Sequence, residues 1–528
     1  LRRRARDGAK DRSLERMKVA RFFEHWGIEE NPFRAEEARH DAVFRRLGVE
    51  GAAHPDFDKI VGELDRPSTS IVFGEKGSGK TAIRLQIAQR VREHNASAGT
   101  GGVFLVPYDD LNAALDHFCA ALGRRAGDDP LESLKKFRLV DHMDAILQTA
   151  VVRLIDCLLE DPRREDSDVG EGALKRLRNA DPTLRRDLMA LQAVYDRPEE
   201  SESRATRLRR SLRAPHARTR LFWEALAAFG WIPAVAVYLY DQFVGVGGPI
   251  NDLGLWASYG LAGVWGLCLV KWFLFDFAWR RWRQRRLARK IAGQCRTLGR
   301  SASSLSRTLS MLPAADLSPQ GLPVDDADEA RYAMFDRLRR VLGVLGFQGV
   351  TVVVDRIDEP TIISGDPDRM RAIVWPLLNN KFLQLDGFGF KLLLPIELRH
   401  LLFRESSAFF QEARLDKQSL VEQLGWTGST LYDLCNARLA VCRRADAQPL
   451  TLLDLYEDDV TQRDLVDALD QMRQPRDAFK MLYQCIQEHC QLVTDDEHKW
   501  RIPRLVLEGV RRQQAERVQQ LFRGVRPA

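Results

Sequence analysis

Ser70-Ile71-Val72-Phe73-Gly74-Glu75-Lys76-Gly77-Ser78-Gly79-Lys80-Thr81 is the stretch on which the fold turns. A short, mostly apolar run feeds into a glycine-rich loop ending in Lys-Thr, and the helix-like segment Ala82–Val91 follows. Strand, GxxxxGK[ST] loop and helix in this order turn a row of backbone N–H groups and a helix N-terminus towards one anion. Gly74, Gly77 and Gly79 let the backbone wrap a phosphate chain without Cβ clashes. Glu75, Lys76 and Ser78 complete the candidate loop. Lys80 is expected to reach the β- and γ-phosphates of a nucleotide, and Thr81 to ligate Mg²⁺.

A loop of this kind needs an acidic partner from a second strand. Thr351-Val352-Val353-Val354-Asp355 supplies the pattern, in the far half of the chain. Four β-favouring residues before an aspartate describe a buried strand ending in a metal ligand, so Asp355 is the Mg²⁺-side carboxylate. A general base or water-positioning residue must sit slightly further on. The next residue is Arg356, which cannot accept a proton. Asp358 and Glu359 are the candidates, and the sequence leaves both open.

Between the two halves lie two apolar stretches, Leu221–Tyr240 and Leu253–Phe275. The first is about 20 residues, enough to cross a hydrocarbon layer. Their linker, Asp241–Asp252, has no Lys or Arg. The outer flanks are intensely basic, with Arg207, Arg209, Arg210, Arg213, Arg218 and Arg220 before and a run from Arg280 to Lys290 after. Six tryptophans, Trp223, Trp231, Trp256, Trp272, Trp279 and Trp282, lie mostly towards the ends. Both flanks are therefore expected on the cytoplasmic side, with the linker outside. A hairpin whose ends return to one face can be inserted without breaking a sheet.

Composition agrees with a large, mainly soluble protein carrying such an insertion. The chain has 528 residues, a charged fraction of 29% and a net charge of +6. That excludes a multi-span transporter and gives no general polyanion partner, since the basic excess sits in local runs. The eight cysteines form no CxxC pair. Cys485, His489 and Cys490 lack a second ligand pair and read as structural residues on a helix. The N-terminus is charged and polar, and no secretory signal is expected.

The arrangement resembles the KAP class of P-loop ATPases, in which transmembrane helices are inserted between the two Walker motifs. More broadly it is similar to the STAND and AAA+ groups. Asp355-Arg356-Ile357-Asp358-Glu359 resembles the hhhD-x-x-DE form of NACHT-like members, but it departs from the KAP pattern at Arg356, where a second acidic residue is usual. Gln474-Pro475-Arg476-Asp477 is similar to the Pro-Arg sensor 2 motif of a lid, which implies that Arg476 contacts the γ-phosphate. Asn31-Pro32-Phe33 resembles a segment that cradles adenine. Glu397-Leu398-Arg399 falls where a sensor 1 residue belongs, with Arg399 and Arg404 as candidate phosphate sensors or arginine fingers against the plainer reading of ion-paired arginines.

The resemblance implies an α/β fold: a P-loop NTPase with a parallel central sheet flanked by helices, an inserted two-helix transmembrane hairpin and a C-terminal helical lid. Expected domains are a helical lead-in at 1–66, a first half-core at 67–204, the hairpin at 205–290, a second half-core at 291–420 and the lid at 421–528, with a winged-helix end as a variant. The implied activity is ATP hydrolysis with Mg²⁺ at the inner membrane, driving a conformational or assembly switch as in bacterial signalling or anti-phage defence. Implied partners are ATP, membrane lipid along the two apolar stretches, and a second copy or an effector protein. A membrane-tethered DNA-binding organiser and a degenerate ATP-binding scaffold are the alternatives. Scatter of Arg504, Arg511, Arg512 and Arg517 over the last helix would speak against nucleic acid.

Overall fold

The computed structural model describes residues 16–34, 37–48, 51, 53–97, 101–123, 129–161, 169–170, 172–213, 218–244, 250–313, 317 and 321–522. The chain divides into two compact units, Leu1–Asp110 with Gly349–Ala528, and Leu111–Gln348.

The first unit is built on a five-stranded sheet: β1 (Ser70–Gly74), β2 (Gly102–Tyr108), β3 (Phe347–Val354), β4 (Phe388–Pro395) and β5 (Ser419–Val421). The strand order is β2-β3-β4-β1-β5. β1 runs parallel to both β4 and β5, with Val72 beside Leu393 and Val421, and β3 runs parallel to β4, with Val354 beside Leu392. β1 and β4 are buried throughout. This is why they read as continuous apolar runs rather than alternating ones. The order sets β4 between the loop-bearing strand β1 and the acidic strand β3, and the carboxyl ends of β1 and β3 lie on the same edge.

The rest of this unit is helical. Gly428–Cys442, Gln462–Asp470, Pro475–Leu492 and Arg504–Phe522 share one apolar core. Met17, Phe22, Ile28, Phe33 and Val43 belong to that same core. The lead-in expected as a separate segment is thus packed with the C-terminal helices. Its helices Val19–His25 and Ala42–Leu47 are too short to be stable without such packing. Beyond Val421 the described residues form isolated bridges, such as Tyr456 with Ile502, and no further strand.

The second unit is a helical body with the apolar segment attached. Its principal helices are Leu139–Leu159, Pro182–Tyr195, Ser201–Ser211, Arg280–Gln294, Ala302–Leu309 and Asp328–Leu345. After the apolar segment comes the helix Ala302–Leu309, capped by Ser301 Oγ accepting from the Ser304 N–H.

Buried ion pairs knit this body. Arg331 and Asp144 are both fully buried 3.0 Å apart, and Asp144 also accepts the Tyr195 hydroxyl at 2.9 Å. Burial pushes the Asp144 carboxyl up, and the Arg331 charge opposes it. Arg204 reaches Asp156, Asp161 and Asp196 within 2.7–3.1 Å. Removing one partner of such a pair leaves a stranded charge, which costs about 3–5 kcal/mol. Arg300, downstream of the apolar segment, donates to Ser201 Oγ at 3.1 Å and to the Val194 carbonyl at 3.2 Å, both upstream of it. The chain therefore leaves this body and returns to it.

The apolar segment differs from two equal spans. Leu221–Tyr240 is divided into helices Arg218–Phe229 and Ile232–Val244. Pro233 has no N–H and suits only a first helical turn, so a new helix starts there. A Cβ on Gly230, at the break, would meet Trp265 Cδ1 at 2.6 Å, and Trp265 Nε1 donates to the Ala227 carbonyl at 3.2 Å. The second stretch is one helix, Ile250–Lys271, continued by a π-helical turn, Trp272–Trp279. Among the described residues one helix is long and apolar enough to cross a membrane, Trp256–Leu274, with 6% of that window buried, while Glu224–Tyr240 is a shorter apolar helix. The middle of the linker, residues 245–249, lies outside the described residues.

Candidate functional site: a glycine-loop cavity in the first unit

The loop Gly74–Thr81 joins β1 to the helix Lys80–Ser97. Gly77 and Gly79 have φ of +101° and +102°, a region that penalises any side chain, so both glycines are required by the turn itself. The Ser78 N–H and Oγ both bond the Glu75 carbonyl, at 3.2 and 2.9 Å. Lys80 Nζ donates to the carbonyls of Gly74 at 2.6 Å and Glu75 at 3.0 Å. Burial pulls its ammonium below the usual lysine value, and the charges of Asp358, Asp355, Glu397 and Glu75 oppose this.

Asp355 follows the last residue of β3 and is 1% exposed. Its Oδ2 has no hydrogen-bond partner. The nearest cation is Arg84 Nε at 3.6 Å, and Arg84 also pairs with Asp109 at the end of β2. Burial pushes the Asp355 carboxyl up, with Arg84 the chief opposing charge.

Lys80 and Asp355 line one cavity of about 620 Å³, within the usual size range of ligand sites. Glu75, Lys76, Gly77, Gly79, Lys80, Thr81 and Asp355 line it, together with Arg356, Asp358, Glu359 and Arg476. Gly74 and Ser78 are part of the loop behind them.

The two candidate bases differ in their surroundings. Glu359 is exposed and lies 3.1 Å from Arg356, which also pairs with Glu37. Burial of the Glu359 carboxyl raises it, with Arg356 opposing. Asp358 is half-buried, its carboxylate makes no hydrogen bond or ion pair among the described residues, and its charge lies near Lys80.

The C-terminal helices close over the loop. Pro475 starts the helix Pro475–Leu492, and Gln474 Nε2 donates to Glu75. A Cβ on Gly77 would stand 3.3 Å from Arg476 Cβ. The Arg476 guanidinium makes no hydrogen bond or ion pair among the described residues. Trp426 Nε1 donates to the Ser78 carbonyl at 2.8 Å.

Arg399 is not brought to this cavity. It pairs with Glu422 at 2.8 Å and lies over the Phe403 ring, and Arg404 is exposed nearby. Nor does Asn31-Pro32-Phe33 line it. Phe33 is in the helical core, and the Pro32 carbonyl accepts from Arg438. Ala38, Asp41, Phe44, Leu434, Arg438 and Phe479 also line the cavity. Arg438 is 2% exposed, paired with Asp41 at 2.7 Å and set over the Phe479 ring.

Sequence reasoning missed Arg84, Trp426 and Arg438. Arg84 had a signal, since it falls one turn after Lys80 on the same helix face. The others are joined to the site only by tertiary packing.

Among the described residues, no group of three or more His, Cys, Asp or Glu would hold a metal unaided. The orphaned Oδ2 of Asp355 and the Thr81 hydroxyl residue on the same cavity nonetheless fit a cation that brings other ligands with it. No protein-family model matches the chain, nor does any curated protein or solved structure, so the site stands on its own geometry.

Proposed function

We propose that this protein is a membrane-anchored P-loop ATPase of KAP-like organisation, in which ATP binding and hydrolysis switch a conformation or an assembly. The observation that carries this is the convergence of Lys80, Asp355, Asp358 and Arg476 on one cavity above the glycine loop. The loop N–H groups and the helix N-terminus would bind the phosphates. Lys80 would exchange two loop carbonyls for phosphate oxygens, which restores a full counter-charge to its buried ammonium. Thr81 and Asp355 would hold Mg²⁺, whose chemistry is to neutralise charge on the phosphates. Asp358, unpaired and beside Lys80, would orient the attacking water. Arg476, with its permanent charge and planar donor fork, would meet the γ-phosphate from the lid.

The membrane anchor is the apolar segment. Phe243 is 84% exposed, Leu267 73% and Trp256 71%, a surface that water does not tolerate without a cover. Because the chain returns to the body it left, an odd number of crossings is disfavoured. The broken first arm then either completes a second crossing with the aid of its partner helix or enters and leaves one face. The inner-membrane location, with both flanks cytoplasmic, is part of this proposal.

A degenerate ATP-binding scaffold is favoured by one feature, the ion pair that Arg356 makes with Glu359. A DNA-binding organiser is not favoured. Arg504 is already paired with Asp464 and Glu508, so of the three arginines that share an arc of about 100°, Arg504, Arg511 and Arg512, one is neutralised, and Arg517 falls on another face.

The test is nucleotide binding and phosphate release by detergent-solubilised protein. Wild type should bind and turn over ATP, Lys80→Ala should lose binding, and Asp355→Asn should lose the Mg²⁺-dependent part. Binding without turnover selects the scaffold, and no ATP binding by wild type sinks both readings.

A further inference from the structure

The apolar helix does not end where its apolar sequence ends. Ile250–Lys271, the π-helical turn Trp272–Trp279 and the helix Arg280–Gln294 follow one another without a break. From Trp279 to Gln294 the sequence contains no Asp or Glu. Gln284, Leu287, Ala288 and Ile291 are buried on one face of the last helix. At about 100° per residue these four share an arc, and Trp282, Arg285, Arg286 and Arg289 occupy the opposite one. Arg283, Arg285, Arg286, Arg289 and Lys290 are all exposed, and none has an acidic partner among the described residues. This contrasts with the same unit's buried Arg204 and Arg331 and half-buried Arg296, each of which is paired with aspartate.

Two tryptophans stand at the junction. Trp279 is 58% exposed and Trp282 51%, with ring centroids 5.3 Å apart. The Arg286 guanidinium lies 5.4 Å from the Trp282 ring centre. At 1.5 Å per residue, Arg286 stands about 10 Å along the axis from Trp279. The order from the apolar helix outward is therefore aliphatic, then aromatic, then cationic, over the depth of a headgroup layer.

We propose that this cationic face is a docking surface for the headgroups of anionic phospholipids in the leaflet at the root of the apolar helix. The inference rests on the membrane reading above and adds to it a lipid class. Hydrophobic length alone is indifferent to headgroup charge. Five unpaired cations on one exposed face are not, because each near an anionic surface is worth about fivefold in association. Arg283, Arg285 and Arg286 are the near contacts. Arg289 and Lys290 act through the diffuse layer, within about one Debye length. The bond is electrostatic and reversible, so it must weaken with salt.

The experiment reconstitutes the full chain into phosphatidylcholine vesicles and compares the motionally restricted fraction of spin-labelled phosphatidylglycerol with that of spin-labelled phosphatidylcholine. Wild type should select phosphatidylglycerol at least about threefold, and raised salt should remove the preference. Replacing Arg283, Arg285, Arg286, Arg289 and Lys290 by Gln, all exposed side chains, should abolish the selectivity and leave the phosphatidylcholine fraction unchanged. An unaltered helical circular-dichroism signal and thermal transition of this variant check its folding. Equal restriction of the two lipids by wild type, or selectivity that survives in the variant, overturns the proposal while the membrane anchor stands. A cationic face that binds duplex DNA but shows no lipid preference overturns it likewise. Failure to incorporate into vesicles removes the anchor, and the headgroup site with it.

Discussion

In the turn after β3, Arg356 takes a left-handed backbone with φ of +60°, uncommon for a side chain of this size, and its guanidinium pairs with Glu37 and Glu359. The sequence left Asp358 and Glu359 open as the water-orienting residue. Their partners separate them, because a carboxylate already paired with arginine is a poor acceptor for a water's proton. Asp358→Asn should therefore slow ATP turnover by about 10²–10⁴ with binding kept, the usual worth of such a group. Glu359→Gln should cost less than about tenfold. Steady-state hydrolysis of the two variants decides it, and a larger loss at Glu359 reverses the assignment. A second residue carries a pH signature. Lys391 is 1% exposed in β4, and burial pulls its ammonium down to about 7, although Nζ donates to the carbonyls of Val61 and Ser68 at 2.8 Å. Between about pH 7 and 10.5 the unfolded chain then binds the proton that the folded chain releases. Stability should rise with pH across this window, by at most about 1.4 kcal/mol per unit, and level off above it. The urea midpoint of solubilised protein should show this slope, and Lys391→Met should lack it. An identical slope in the variant means that Lys391 is not its source.

Among the elements, the glycine loop and the helix Pro475–Leu492 are the pair through which the proposed coupling would run. Gln474 holds Glu75, Trp426 holds the Ser78 carbonyl, and Arg476 stands against Gly77 with its guanidinium unpaired. Arg476→Ala should lower ATP affinity modestly, by about three- to tenfold, since the Lys80 contacts remain. Any ATP-dependent assembly or lid protection should fall further. Hydrogen exchange across Pro475–Leu492 with and without ATP measures this. ATP-induced protection unchanged in the variant would falsify a sensor role. Local patterns foretold these elements well. The Ser70–Phe73 run and the Thr351–Val354 run are strands, because burial on both faces leaves a direct mark on a sequence. Arg399, Asn31 and Phe33 were misplaced relative to the cavity for the opposite reason. Which face of a short loop or helix looks inward is decided by distant segments, as when Glu422 draws Arg399 away.

At the scale of the whole molecule, the unit boundary at Asp110 and Gly349 shows what a linear reading loses. The expected half-cores, 67–204 and 291–420, follow the order of motifs. The helical body follows its buried pairs, which join residues across the apolar segment and carry no periodic pattern of their own. That closure yields a topological prediction. Ser203 and Ser301 are both exposed on the body from which the apolar segment leaves. Neighbouring contacts bind the two sides of that segment, including Arg307 to Glu202 at 3.1 Å and Ser201 to Ser304 at 3.1 Å. Cysteines placed at Ser203 and Ser301, in a chain whose accessible native thiols have been replaced, should therefore react from one and the same side of the membrane, the cytoplasmic one. A cysteine at Gly247 distinguishes the two routes for the broken first arm. Labelling from the opposite side requires that helices Arg218–Phe229 and Ile232–Val244 together complete a crossing, with Gly230 packed against Trp265 as the joint. Labelling from the cytoplasmic side, or protection from both, means that the segment enters and leaves one leaflet. Reaction of Ser203→Cys and Ser301→Cys from different sides contradicts the closed helical body itself, because the pairs that hold it cannot span a bilayer.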